Sequence, residues 1–407
     1  MPLSDQLQTA LTRRRQLSFF RTLTLPRPNT ADFSSNDFLS LSTNAELRTE
    51  FLSELQFAGD FPLGSGGSRL LDGNTPYTES LESRIATFLG APCGLLFNSG
   101  FDANSGFFSC IPQPGDAVVY DELIHASVHE GMRLSRAAEK VKFLHNDVED
   151  LCRVLQRVKQ PGRNIFVAVE GLYSMDGDTA PLRKIVEAVE NICQGTGHVV
   201  VDEAHSTGCF GPNGRGLTVS LGLEKRVFAR LHTFGKSLAS NGAIILCDPL
   251  VREYLINYAR TLIFTTALGF PALASVKAAF AMLERGDTVP LQEKLHDNIT
   301  CLHDGLKSLP SSGRLSILNP KQRDTPIVAL LTDKPRDLAK WLQDGGYMVR
   351  PIVHPTVPKG KERVRVCLHS GNTISEIRGL VSRILTWVDV ELRTEQVSEQ
   401  SIFKSKL

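Results

Sequence analysis

Between about residues 76 and 260, short apolar runs alternate with longer helical stretches, and this alternation limits the possible folds more than any other feature of the chain. The clearest runs are Leu95–Phe97, Ala117–Tyr120, Ile165–Val169, Val199–Val201 and Ala243–Leu246. Strands buried on both faces read as continuous apolar runs. Strands that alternate with helices form βαβ units. The pattern predicts an α/β fold with a mostly parallel sheet flanked by helices. Ligands of such sheets sit beyond the carboxyl ends of the strands, so functional residues are sought there.

The flanks read differently. Residues 1–21 carry Leu3, Leu7, Ala10, Leu11 and Leu17 near helical spacing, and Pro26 and Pro28 stop that helix. Residues 31–45 read as an extended lead-in. From about residue 270 a helix over 271–285 leads into strands near 326–331, 347–350 and 363–368, then a helix over 373–390. This is the pattern of a smaller α+β domain. The expected division is a helix and lead-in over 1–45, a large domain over 46–265, a small domain over 266–390 and a flexible polar tail over 391–407.

Composition narrows the class of function. The 407 residues include 45 Lys and Arg against 44 Asp and Glu, which argues against a nucleic-acid partner. Eight cysteines occur without a CxxC pair, so they read as buried thiols of a reducing compartment. No run of 18 apolar residues exists, so no membrane span is expected. The N-terminus lacks the apolar stretch of a secretory signal. The sequence closes on Ser405-Lys406-Leu407, the tripeptide read by the peroxisomal import receptor. A peroxisomal location is therefore expected, and a cytoplasmic one otherwise.

Several residues invite chemistry. Gly235-Lys236-Ser237 suggests a phosphate loop, but that motif needs glycine where Arg230 stands, and the reading fails. Lys236 instead lies in a polar turn between two apolar strands. A desolvated lysine there suits a Schiff base with an aldehyde cofactor. Asp202 ends an apolar strand. It reads either as a helix cap or as a carboxylate aimed at a pyridinium nitrogen. Asp202 and His205 lack a third ligand nearby, so no metal is expected. Gly100 and Phe101 open a helix whose N–H groups would attract phosphate. His125 reads as a structural residue or as an imidazole stacked on a ring, and Ser174 as a turn residue. Gly64–Arg69 reads as a flexible loop or a backbone-lined substrate loop.

Taken together, the order and spacing of these elements resemble the α-oxoamine synthase family of fold-type I pyridoxal 5'-phosphate (PLP) enzymes. The resemblance rests on Phe33–Leu39, Gly64–Arg69, Ser99-Gly100-Phe101, His125-Ala126-Ser127, Glu170–Asp178, Asp202–Gly208, Thr233–Lys236 and His354–Pro358. It implies a fold-type I transferase with a PLP-binding large domain and a smaller C-terminal α+β domain.

It also implies roles. Lys236 forms the Schiff base, Asp202 pairs with the pyridine nitrogen, and His205 and Ser174 approach the phenolic oxygen. His125 stacks on the ring and borders the substrate. Gly100, Phe101 and Thr233 hold the phosphate. Arg21, Asn36 and Arg365 hold substrate carboxylates, and Thr356 lines the substrate region. A homodimer is implied, with Thr265 or Thr266 reaching the neighbouring subunit's phosphate. The implied reaction is the decarboxylative condensation of L-alanine with pimeloyl-CoA in biotin biosynthesis. Sibling activities stay open: 5-aminolevulinate synthase, glycine C-acetyltransferase, serine palmitoyltransferase, or an enzyme using another acyl-CoA. An inactive partner subunit would be expected to lack the lysine, and Lys236 is present.

Overall fold

A seven-stranded sheet organises most of the chain. The computed structural model describes residues 1–17, 19–25, 27–309 and 314–405, with side chains described as far as residue 392. After a short strand β1 (Ala31–Asp32), the sheet takes up β2 (Cys93–Phe97), β3 (Ala117–Asp121), β4 (Glu139–Phe143), β5 (Ile165–Glu170), β6 (Gly197–Asp202), β7 (Ala229–Thr233) and β8 (Ala243–Cys247). Their spatial order is β2-β8-β7-β6-β5-β3-β4. Only β8 runs against the others, pairing antiparallel with both β2 and β7. The expected mostly parallel α/β sheet is what forms.

Period-two side-chain direction splits the core into two layers. Val118, Phe166, Ala168 and Val200 face one cluster with Phe107 and Val128. Their neighbours Val119, Val167, Val169 and Val201 face the other, with Leu151, Ile185 and Val186. Each fully buried side chain of this size contributes about 1.5–3 kcal/mol. Two strands, β7 and β4, are missing from those apolar runs, and β4 departs furthest from them. Its sequence, Glu139-Lys140-Val141-Lys142-Phe143, alternates charge with apolar residues. It forms the sheet edge, where lysines discourage pairing with another chain.

The C-terminal region adds a four-stranded sheet of β9 (Ser316–Ile317), β10 (Ile327–Leu331), β12 (Arg350–Ile352) and β13 (Arg363–Cys367), while β11 (Tyr347–Met348) pairs parallel with β1. That pairing fixes the lead-in segment. Cys367 N–H donates to the Phe33 carbonyl and Ser370 N–H to the Phe38 carbonyl, both at 2.8 Å. Phe33, Phe38 and Leu39 are fully buried. The boundary expected at 265/266 is not a break in the core: Leu81, Leu96 and Ile244 share one cluster with Val276, Phe280, Ile327 and Leu380.

Contacts divide the chain into Met1–Thr30 and Ala31–Leu407. The first unit holds a helix over Leu3–Gln16, shorter than the span 1–21, with its side chains exposed. In the second unit the last helix runs over Ile374–Ser405. Residues 391–405 are therefore helical, where the sequence reads as a flexible tail. Lys406 and Leu407 of the import tripeptide lie outside the described residues. No helix among the described residues is long and apolar enough to cross a membrane.

Candidate active site

The carboxyl ends of β2, β3, β5, β6 and β7 open onto one cavity of about 280 Å³. Ser99, Gly100, Phe101 and Asn104 come from beyond β2, and His125 and Ser127 from beyond β3. Glu170 ends β5, and Asp202, Ala204 and His205 end or follow β6. Thr233 and Lys236 come from β7 and beyond, Asn241 and Gly242 precede β8, and Asn36 comes from the lead-in.

Local rules place each group. Ser99 Oγ accepts the Asp102 N–H and so caps the helix Gly100–Cys110. The first N–H groups of that helix, on Gly100 and Phe101, have no partner within it and form its positive end. A Cβ on residue 100 would stand 2.5 Å from Thr233 Cγ2, so glycine lets this helix end approach β7. His125 caps the helix Ala126–Leu134, its Nδ1 accepting the Ser127 N–H at 3.2 Å. Lys236 lies in the arch between β7 and β8, closed by Phe234 N–H to Gly242 O at 3.0 Å and Ser240 N–H to Phe234 O at 2.8 Å. Phe234 is fully buried and pins the arch. Lys236 Nζ then lies 3.4 Å from Thr233 Oγ1.

Asp202 is held by two donors. Its Oδ1 accepts the Ala204 N–H at 2.9 Å, and its Oδ2 accepts Asn104 Nδ2 at 2.7 Å. Burial pushes the Lys236 amine below its ordinary range, and the Arg365 charge adds to this against the pull of Asp202 and Glu170. Burial pushes the Glu170 carboxyl well above its ordinary range, helped by the Asp202 charge. The two residues are in register on adjacent strands. Burial, Lys236, Arg365 and His125 push the His205 imidazole well down, so the ring is neutral. Its Nδ1 is buried without a protein partner. Packing and Lys236 also lower the His125 imidazole, against the pull of Asp202.

The cavity thus gathers Asn36, Gly100, Phe101, His125, Asp202, His205, Thr233 and Lys236 from the residues singled out by sequence. Arg365 joins them by donating from Nη2 to Asn36 Oδ1 at 2.9 Å. Others stand outside it. Ser174 turns its backbone N–H to the Glu170 carboxyl. Thr265 Oγ1 and Thr266 O both accept from Asn98 Nδ2, at 3.3 and 2.7 Å, beside the Ser99 cap. Thr356 lies exposed in a turn closed by its own N–H to Val353 O. Arg21 is an exposed residue of the first unit. Asn104, Ser127 and Glu170 line the cavity without having been assigned a role. Asn104 falls one helical turn after Gly100, on the face that points back to the site, and this spacing was the available signal.

A lysine amine, a clamped strand-end carboxylate and a helix N-terminus around one cavity define a PLP-dependent transferase site on a fold-type I scaffold. Residues 28–384 match the profile of the Aminotransferase class I and II family. An 8-amino-7-oxononanoate synthase of Emericella nidulans is 54% identical over 395 residues, covering 95% of this chain and 96% of that one. The aminoacyl transferase sphA of Byssochlamys spectabilis is 42% identical over 393 residues, covering 91% and 83%. A serine palmitoyltransferase variant of S. paucimobilis, solved with a PLP–myriocin aldimine, superposes with a TM-score of 0.83 at 26% identity, covering 94% of this chain and 98% of that one. The chain belongs to the Aminotransferase class I and II family and, within it, to the α-oxoamine synthases.

Proposed function

We propose that the chain catalyses the decarboxylative condensation of L-alanine with pimeloyl-CoA, yielding 8-amino-7-oxononanoate, CoA and carbon dioxide for biotin biosynthesis. One observation carries this reading: Lys236, Asp202, His125 and the Gly100–Phe101 helix end all face a single cavity that Arg365 borders through Asn36. The 54% identity to an 8-amino-7-oxononanoate synthase supports alanine and pimeloyl-CoA over the sibling substrates.

The residues present fit PLP. The partnerless His205 Nδ1 is a buried polar atom awaiting a donor or acceptor. Glycine at position 100 leaves the room beside Thr233 that a Cβ would fill. Gly100, Phe101 and Thr233 would hold the phosphate, Asp202 the ring nitrogen and Lys236 the aldehyde carbon. When bound, PLP supplies an aldehyde for the substrate amine and a ring that takes up the electron pair left at Cα.

The chain's own residues do the rest. Asp202, fixed by Asn104 and Ala204 N–H, holds a proton at the ring nitrogen. Lys236 moves the proton at Cα, and burial, which lowers its amine below the ordinary range, favours the free base that accepts it. His205, kept neutral, can donate or accept at the cavity floor without adding charge. Arg365 and Asn36 orient a substrate carboxylate. The test is direct: borohydride treatment of the PLP-loaded protein should label the Lys236 peptide, and Lys236→Ala should lose both label and turnover. An amino-acid and acyl-CoA screen in which glycine or serine beats alanine would move the chain to a sibling activity.

Two further readings belong to the same proposal. A homodimer is supported by exposed Leu63, Leu70, Leu71 and Phe264, which flank the Gly64–Arg69 loop and Thr265. Light scattering of the purified protein tests it, and a monomer would remove the role of Thr265 and Thr266. Where Leu407 ends the protein, Ser405-Lys406-Leu407 supports import into the peroxisome. A fluorescent N-terminal fusion should be punctate, and diffuse once a residue is added after Leu407.

A further inference from the structure

One amide nitrogen stands between the two groups that would define a ring's position in the cavity. Asn104 Nδ2 donates to Asp202 Oδ2 at 2.7 Å and to Ser127 Oγ at 3.0 Å. Ser127 Oγ lies 2.7 Å from His125 Nδ1. The directions are forced. A carboxylate only accepts, so the NH2 group of Asn104 must face Asp202. Ser127 Oγ accepts from the same NH2, which leaves its own proton for His125 Nδ1. That nitrogen also accepts the Ser127 N–H, so the neutral imidazole carries its proton on Nε2. Asn104, Ser127 and Asp202 are buried.

The frame around this chain of bonds is tight. A Cβ on Gly131 would meet Phe108 Cβ at 2.8 Å and the Asn104 carbonyl at 3.0 Å, so the helices Gly100–Cys110 and Ala126–Leu134 touch backbone to backbone. Ser105 Oγ adds a hydrogen bond to the Ser127 carbonyl at 3.2 Å. Rotation of Asn104 would break both of its bonds at once, leaving a buried carboxylate and a buried hydroxyl each short of a donor.

We infer that Asn104 is a positioning residue that ties Asp202 to His125, so that the ring-nitrogen partner and the imidazole wall hold one fixed relation. The inference rests on PLP occupying this cavity. It assigns Asn104 no contact with the reacting atoms; it acts through Asp202 and through Ser127 to His125.

The experiment compares PLP-loaded wild type with Asn104→Leu and Ser127→Ala. It reads the PLP dissociation constant, the pH midpoint of the visible absorption band and heteronuclear NMR of the His125 ring nitrogens. Asn104→Leu should bind PLP roughly 10- to 100-fold more weakly, displace the pH midpoint and alter the His125 signals. Ser127→Ala keeps the bond to Asp202, so it should alter the His125 signals and leave the midpoint in place. A simple packing defect would not produce that split. Asn104→Leu with the wild-type midpoint and wild-type His125 signals overturns the inference. Should Asn104→Leu fail to fold, unchanged His125 signals in Ser127→Ala overturn it. A wild-type protein that binds PLP without using Lys236 sinks the proposed function while leaving this coupling open to the same readouts. One that takes up no PLP sinks both.

Discussion

Arg365 Nη2 donates a 2.9 Å hydrogen bond to Asn36 Oδ1 across 329 positions of sequence. Strand β13 delivers Arg365, and the β1–β11 pairing delivers the lead-in that carries Asn36. The guanidinium is buried and its Nε has no partner. A buried guanidinium with a spare donor is suited to a carboxylate. The charge also depresses the Lys236 amine and the His205 imidazole, which places it within electrostatic reach of the reacting amine. The carboxyl of alanine is attached to the carbon that Lys236 serves, whereas the far carboxyl of a pimeloyl chain lies several carbons from the thioester. We therefore predict that Arg365 serves the alanine carboxylate.

Arg365→Ala should raise KM for alanine roughly 10- to 100-fold, the cost of losing a hydrogen bond to a charged group. The preference for pimeloyl-CoA over heptanoyl-CoA, a chain of equal length without the far carboxylate, should stay as in wild type. Steady-state kinetics with both thioesters read this out. A collapsed preference with an unchanged alanine KM would reassign Arg365 to the acyl chain.

The approach of the Gly100 helix end to Thr233 gives a second prediction, with a built-in rescue. In Gly100→Ala the new Cβ would stand 2.5 Å from Thr233 Cγ2, with its next neighbour, Leu231 Cδ2, at 3.7 Å. One methyl group is therefore the obstacle. Gly100→Ala should bind PLP and inorganic phosphate more weakly, because the helix end must shift. Adding Thr233→Ser removes that methyl and keeps the hydroxyl, so the double variant should regain most of the affinity. Equilibrium binding of PLP to the apo-protein measures both. A double variant no better than Gly100→Ala would show that the cradle fails for another reason.

How much of this was legible in the sequence depended on what each residue advertises. Lys236, Asp202, Gly100 and His125 stand at strand or helix ends, where the apolar runs break, and the breaks could be counted. Strand β4 could not be read as an apolar run because an edge strand needs only one buried face. Strand β7 hid part of its length behind Arg230 and His232, both buried; Arg230 satisfies one nitrogen on the Leu89 carbonyl at 2.9 Å. Asn104 and Ser127 are polar residues inside helices, and composition gives no hint that Asn104 reaches both Ser127 on the next helix and Asp202 at the end of β6. Arg365 needed the small sheet to bring it to Asn36, a contact that no local pattern encodes.

A third prediction concerns the ionic cluster that braces the loop after β5. His145 Nδ1 donates to Asp121 Oδ1 at 2.9 Å and its Nε2 to Asp178 Oδ2 at 3.0 Å. Both nitrogens serve carboxylates, so the ring is an imidazolium. Burial opposes that charge, but the two aspartates outweigh it and raise the pKa to about 10. The Tyr173 ring closes over His145 edge-on at 4.5 Å, and the Asn146 side chain adds a 3.0 Å bond to Asp178. The cluster clasps the end of β3, the turn after β4 and the loop after β5, whose Ser174 N–H faces Glu170. Removing one partner of a buried ionic cluster costs about 3–5 kcal/mol, so His145→Ala should be destabilised by that order. The sign with pH follows from the raised pKa. The contribution is complete below the ordinary imidazole value of 6.5 and fades as pH rises through about 10. Thermal unfolding of wild type and His145→Ala should therefore show a gap in Tm that is widest at and below pH 6.5 and narrows toward pH 10. Curves that stay parallel over this interval would mean that the ring is not charged in the fold and that the loop is held by its other hydrogen bonds.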